Sequence, residues 1–533
     1  MPDAYPDASE TTHHDVIVTQ SPPRTLVGVL GRLGPGLIIA GSIVGSGELI
    51  GTTKTGAEAG FWLLWLIIVG CVIKVFVQIE FGRFSITQGR TTMDGMNRLP
   101  GPRLRVSWLM WYWLLMFILG IGQLGGIVGG VGQSLALTLP ISGDLVELLQ
   151  IQSDQATYDR EQRRRAAQSP SADEAAAGIN RGKPADVGGE FESAHDPRPV
   201  VPARLKYTWD DVYWSAAVTV ITAVLLAMGR YGMIQSVATV LVVAFTAVTV
   251  GNLLALQSHP DWAIHFSELG LGLSFRLPPS SPAGTSPLYT ALATFGIIGV
   301  GASELIAYPY WCLEKGYARF TGSRDSSDAW ARRARGWLWV MHWDAWLSMA
   351  VYTFATIAFY LLGAAVLHRQ GLNPAGSQMI RTLAEMYTPV FGSWAKFVFL
   401  CGAIAVLYST FFVATAGNTR MAADALRVFR LAATTDAARQ WWIRLLCIVF
   451  PFLSLAVYVV SKDPVSLVLI SGLAQSIMLP MLGGAGLYFR YRQCDPRVRP
   501  GRLWDLLLWL SCAGLLLTGS VGLWKGLARF WSS

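Results

Sequence analysis

Two carboxylates sit where carboxylates are costly. Glu48 lies in Val44-Gly45-Ser46-Gly47-Glu48-Leu49-Ile50, inside an apolar run from about residue 35 to 53. Glu304 lies in Val300-Gly301-Ala302-Ser303-Glu304-Leu305-Ile306, which repeats Val, Gly, Glu, Leu and Ile at the same relative places. Downstream, Glu58 and Gly60 follow Glu48 as Glu314 and Gly316 follow Glu304. About 20 apolar residues cross a bilayer, and a charge within such a run needs a function or a partner. Neighbouring glycines weaken the helix and release carbonyl oxygens. Carboxylates beside carbonyl and hydroxyl oxygens make a hard donor set, suited to Mg²⁺, Mn²⁺ or Ca²⁺ rather than thiolate-seeking metals. The predicted cation-binding set is therefore Glu48 and Glu304, with carbonyls near Gly45, Gly47 and Gly301, hydroxyls of Ser46 and Ser303, and the amide of Gln475. The alternative is that the glutamates are protonated, or paired with a lysine that fixes the fold.

Four other charges bear on that chemistry. Lys54 and Glu58 stand one helical turn apart and are expected to pair on a helix face. Lys74 and Glu80 fall in the next apolar run, and Lys74 is placed to neutralise a site carboxylate. All four are candidates for charge coupling. No histidine falls at the centre of an apolar run, so a proton relay has no obvious residue. No P-loop, HExxH, GxSxG with triad partners or dinucleotide fingerprint is present. The chain reads as a non-enzyme that needs no cofactor.

The chain has 533 residues, 52% of them hydrophobic and 14% charged, against about 25% charged in soluble domains. This is the composition of an all-α polytopic membrane protein. Eleven apolar spans are predicted, at about 34–53, 61–81, 107–138, 211–228, 233–256, 288–312, 340–366, 392–417, 441–460, 464–488 and 504–524. Span 3 is glycine-rich from Gly120 to Gly132, which favours close helix packing. Basic residues collect after spans 2, 6, 8 and 10, which puts the N-terminus in the cytoplasm. That bias also accounts for the net charge of +8 without a nucleic-acid partner. Six cysteines without a CxxC pair suggest packing rather than a disulfide framework. Residues 1–27 read as a disordered cytoplasmic tail and about 139–207 as a disordered external insertion, both polar and without apolar periodicity.

Spans 1–5 (28–256) and 6–10 (288–490) carry one glutamate motif each, with span 11 and a tail at 504–533. An odd number of spans per repeat inverts the second half. Interrupted helices at corresponding places of two inverted halves point to a secondary-transporter site. The predicted architecture is a LeuT-like 5+5 inverted repeat with an eleventh C-terminal helix, and helices 1 and 6 discontinuous.

Several stretches then resemble the natural resistance-associated macrophage protein (Nramp) family of divalent metal transporters. Span 1 opens with Gly34-Pro35-Gly36; Gln78 to Gly89 is similar to the family's arginine–threonine–glycine segment. Span 6 begins with Gly296-Ile297-Ile298-Gly299, and span 8 holds Ser409-Thr410 and Ala416-Gly417, both family-like. The departures fall at the metal site. The family's Asp-Pro-Gly-Asn aligns with Gly45-Ser46-Gly47-Glu48, and its Met-Pro-His with Ser303-Glu304-Leu305. The soft sulfur ligand is gone from that motif and a carboxylate has appeared. The resemblance implies a divergent member in the plasma (inner) membrane, moving Mg²⁺- or Mn²⁺-like hard cations by alternating access, with either the coupling proton usual in the family or none. The expected partners are a divalent metal ion as substrate and the lipid bilayer. Two other readings stay open. One is an amino-acid or other organic-solute symporter, because Gly45-Ser46-Gly47 resembles a break that binds substrate carboxylates through N–H groups. The other is a non-transporting sensor or scaffold on a transporter fold.

Overall fold

The computed structural model describes residues 19–168, 198–228, 231–279 and 287–532. Among the described residues, eleven helices are long and apolar enough to cross a membrane. They are Pro35–Ala59, Leu64–Gln88, Trp108–Thr138, Ala203–Ala227, Thr239–Leu256, Pro287–Lys315, Asp328–His368, Gly376–Val428, Asp436–Ser461, Pro464–Gln493 and Arg502–Ala528, spans 1 to 11 below. The chain is a multi-pass membrane protein. Span 7 starts well before the predicted 340. Ser327 caps its first turn through Trp330 N–H (3.1 Å), and Trp330, Ala331, Ala334 and Trp337 form a buried face while Arg332 and Arg335 stay exposed. Those arginines hid the helix from a hydropathy reading.

The glycines of span 3 are contact points. A Cβ on Gly126 would come within 2.6 Å of Pro464 O, and one on Gly125 within 2.9 Å of Ser454 O. Gly129 lies against the Tyr458 ring and Gly132 against Ser215 and Asp211. Spans 4, 9 and 10 therefore approach span 3 backbone to backbone, as its glycines predicted.

Span 1 is anchored at its start by span 7. Asp344 accepts from Gly34 N–H (2.9 Å) and Gly36 N–H (2.6 Å), satisfying two of the donors that a helix start leaves free. Tyr308 of span 6 donates to the same carboxylate at 3.0 Å. One buried aspartate thus fixes the relative positions of the spans that carry the two glutamate motifs.

Two polar segments are more ordered than expected. Within the predicted insertion, Asp144–Gln168 is a helix. Asp210 accepts from the N–H groups of Ile141, Ser142 and Gly143 at 3.1, 2.8 and 2.8 Å, and Arg381 reaches Leu149 O at 2.7 Å. Leu145 and Leu149 pack on Ala136, but so few apolar residues in a polar stretch give no legible period. Residues 169–197 lie outside the described residues. Of the predicted tail, 1–18 also lie outside them, whereas 19–27 is bound. Gln20 N–H donates to Phe320 O (3.1 Å), Trp337 Nε1 donates to Gln20 O (3.0 Å), and Pro22 packs on Gly336.

After span 10, Asp495 joins two loops. It accepts from Arg497 and from Arg324 Nε (2.9 Å). The Arg497 hydrogen bonds hold its carboxyl down at about 2, against burial. A depressed carboxylate stabilises the fold above the unfolded value of about 3.9 and loses that contribution as pH falls toward 2. Both arginines are partly exposed, which limits the gain to about 1 kcal/mol. Asp495→Asn is therefore expected to lower the thermal midpoint at pH 7 by ~2 °C. The gap should narrow between pH 4 and pH 2, as followed by thermal unfolding in detergent.

Candidate metal-binding site

Span 6 is two half-helices, Pro287–Ile297 and Ala302–Lys315. The link turns at Gly299, whose φ of +54° suits glycine. A helix that stops in the membrane leaves carbonyls without partners, and each one here has a neighbour. Phe295 O and Ile298 O accept from Lys74 Nζ, the latter at 2.7 Å. Ile297 O faces span 1, where a Cβ on Gly47 would come within 2.7 Å of it. Gly296 O turns toward Gly301.

Three oxygens converge at Gly301. From the point a Cβ would occupy there, Glu304 Oε2 is 2.5 Å away, Gly296 O 2.9 Å and Gln475 Oε1 3.0 Å. Glu304 stands in the first turn of its half-helix, where the helix dipole favours a negative charge. Gln475 is held from both ends. Its Oε1 accepts from Ser303 N–H (3.1 Å), and its Nε2 donates to Gln123 Oε1 (2.7 Å). Gln123 Nε2 donates in turn to Ser46 Oγ (3.0 Å). Spans 10, 3 and 1 are thereby tied to the break in span 6. Gln123 was not among the predicted residues. Its signal was present, one of two amides, with Gln133, in a glycine-rich apolar helix.

A cavity opens beside this cluster. Ser303, Glu304 and Gln123 line it, with Ile39 and Ser42 from span 1, Trp311 from span 6, and Thr410 and Met421 from span 8. It leaves about 20 Å³ for the centres of water-sized molecules, room for one water or one ion. A thioether, Met421, thus borders the cavity from outside the aligned motifs. The wall runs toward the bundle end where span 1 begins and spans 6 and 8 finish.

The opposite end is latched. Lys54 pairs with Glu58 (3.0 Å) and donates to Asn373 Oδ1 (2.6 Å) and Pro374 O (3.0 Å), while Asn373 Nδ2 donates to Glu58 (3.1 Å). Close backbones support the latch: a Cβ on Gly56 or Gly363 would strike Tyr360 O or Thr53 O. Glu314, the repeat counterpart of Glu58, pairs with Arg420 through both carboxylate oxygens (2.6 and 3.1 Å). Glu80 does not line the cavity; it is bound to Arg83 (3.2 Å) and accepts from Trp504 Nε1 (2.7 Å) of span 11.

Span 1 interrupts its α-helix with a π segment, Val44–Thr52. Such segments recur at functional sites. Gly45 N–H donates to Thr410 Oγ1 (3.0 Å), and Gly47 O accepts from Thr52 Oγ1 (3.0 Å). The glycines let spans 6 and 8 come close: a Cβ on Gly45 would strike Thr410. Glu48 is fully buried and does not line the cavity. Its Oε1 accepts from Thr356 Oγ1 (2.8 Å) and Gly299 N–H (3.3 Å), and its Oε2 has no hydrogen-bond partner among the described residues. Of the predicted set, then, Glu304, Ser303, Gly301, Gln475 and Ser46 gather on one side of the break. Glu48 stands behind it. Among the described residues no three of His, Cys, Asp and Glu come together as a metal cluster.

The profile of the natural resistance-associated macrophage protein-like family matches residues 205–525, more than half of the chain. Glu304 falls inside that match and Glu48 outside it. No curated protein matches the chain. Among solved structures, a single-substitution variant of the Eremococcus coleocola manganese transporter aligns over 96% of this chain and 90% of its own, at 13% identity and TM-score 0.59. The same transporter bound to an aromatic bis-isothiourea substituted compound aligns over 97% and 92%, at 14% identity and TM-score 0.59. The likeness shows the fold, a LeuT-like helical repeat; of the two helices predicted to be discontinuous, span 6 is broken, whereas span 1 runs on as one helix through its π segment, whose wider turn takes up the glycines without a break.

Proposed function

The chain belongs to the natural resistance-associated macrophage protein-like family of metal ion transporters, and from that premise we propose that it is a secondary transporter carrying a hard divalent cation, Mg²⁺ or Mn²⁺, by alternating access. The observation that carries this reading is the convergence of Glu304 Oε2, Gly296 O and Gln475 Oε1 about Gly301. One carboxylate, one carbonyl and one amide oxygen are hard donors, and waters complete the shell of such ions. Glu304 is the direct ligand. Glu48 adds negative charge from behind the break, and Ser46 and Ser303 support the site. The membrane is the plasma (inner) membrane, and the distribution of basic residues supports a cytoplasmic N-terminus. In that orientation the cavity faces inward and the Lys54–Glu58–Asn373 latch closes the outside.

Two observations weigh against an amino-acid substrate. The Gly45 N–H that would bind a carboxylate is already given to Thr410. The cavity beside the break leaves about 20 Å³ for the centres of water-sized molecules, room for a water or an ion rather than an amino acid.

The test is uptake by purified protein in liposomes. Saturable Mn²⁺ or Mg²⁺ accumulation is expected. Failure of every divalent cation to accumulate would leave the sensor reading, and accumulation of an amino acid instead would restore the symporter reading. Gln123→Leu removes the hydrogen bonds that hold Gln475 and Ser46 without touching the ligand atoms. Mn²⁺ affinity is expected to fall about tenfold, or ~1.4 kcal/mol, by calorimetric titration.

A further inference from the structure

Lys74 stands opposite the cavity at the break in span 6. It is fully buried, on span 2. Two of its three N–H donors go to Phe295 O and Ile298 O, carbonyls released where the first half-helix ends. The ammonium lies 4.6 Å from the centroid of the Phe295 ring. A helix C-terminus is a negative pole, and carbonyl rings are how proteins strip and hold monovalent cations. The charge of Lys74 acts on both Glu48 and Glu304. The surroundings are those of a bound cation: two carbonyls, an aromatic face and two carboxylates in electrostatic range.

We propose that Lys74 is a resident counter-ion, a tethered ammonium that takes the place of a soluble monovalent cation at the broken end of span 6. This rests on the divalent-transport reading and adds to it how that transport is coupled. With Glu48 and Glu304 ionised, the ammonium leaves the empty site at a net charge of −1. Loading one divalent cation brings it to +1 with no second ion required. Lys74 is a positioning residue: it holds the carbonyls of the break in place and leaves Gly296 O as the one turned to the substrate side.

The experiment has two arms. In the first, Mn²⁺ binding by wild-type protein is measured at fixed pH with Na⁺, K⁺ or choline as the only monovalent cation. Affinities within twofold of one another are expected. A requirement for Na⁺ or K⁺ would overturn the proposal. In the second arm, Lys74→Gln is followed by thermal unfolding in the same three media. The variant is expected to gain several degrees in Na⁺ or K⁺ over choline, while wild type does not. A folded variant that ignores the monovalent cation would overturn the proposal, and a variant that fails to fold leaves the decision to the first arm. Wild type that binds no divalent cation in any medium defeats the transport reading alone, because the thermal arm needs no divalent ion.

Discussion

Glu304→Gln is expected to remove saturable divalent-cation uptake while the protein still folds. Glutamine keeps the size of the side chain and one carbonyl oxygen, so the first turn of the half-helix and the cavity wall are preserved. What is lost is the only carboxylate on that wall within the described residues. Even in a hydrogen bond a charged acceptor is worth about 1.4 kcal/mol more than a neutral one, so affinity is expected to fall at least about tenfold. The counterpart Glu48→Gln should behave differently. Its Oε1 accepts from Thr356 and Gly299, so the variant weakens affinity through charge and loosens the packing of spans 1, 6 and 7. Tracer uptake into liposomes, with thermal unfolding beside it, separates the two. Equal uptake by wild type and Glu304→Gln would remove Glu304 from the mechanism.

Gly301→Ala is expected to be nearly as damaging, for a reason that involves no charge. The backbone at Gly301 has φ −68° and ψ 175°, a conformation that alanine adopts freely. The fold should therefore accept the substitution at the backbone. The added methyl would sit 2.5 Å from Glu304 Oε2 and 2.9 Å from Gly296 O, where those oxygens converge. Divalent affinity should fall by at least tenfold. Gly299→Ala is the contrast: its φ of +54° makes the cost one of stability. Calorimetric titration of Gly301→Ala, with its melting curve, checks this. Unchanged affinity in a folded Gly301→Ala would mean that the oxygens do not act together.

The sequence made the spans and the repeat legible because both are written in hydropathy and in glutamates that lipid penalises. Glu304, Ser303, Gln475 and Ser46 were readable for the same reason, as polar residues in apolar runs, and Gly301 as a helix-weakening glycine beside them. The direction of Glu48 was not. A π segment adds residues to each turn, so side chains beyond Val44 no longer follow the 3.6 period from which a face is read. Lys74 was legible as a nearby charge but not as a donor to Phe295 and Ile298, which depends on how span 2 crosses the break. Thr356, the partner of Glu48, gives no signal, since a threonine in a helix usually bonds its own preceding turn; here its one proton is shared between Tyr352 O at 2.7 Å and Glu48 Oε1 at 2.8 Å. The helix at Asp144–Gln168 escaped because its order comes from contacts with Asp210 and Arg381, remote in sequence.

The most direct test is crystallographic: Mn²⁺ located by its anomalous scattering in crystals of the wild-type protein. The expected result is one peak at coordination distance, about 2–2.5 Å, from Glu304 Oε2, Gly296 O and Gln475 Oε1. A peak at Glu48 Oε2 behind the break, or a peak with no contact to Glu304, would contradict the assignment of the site.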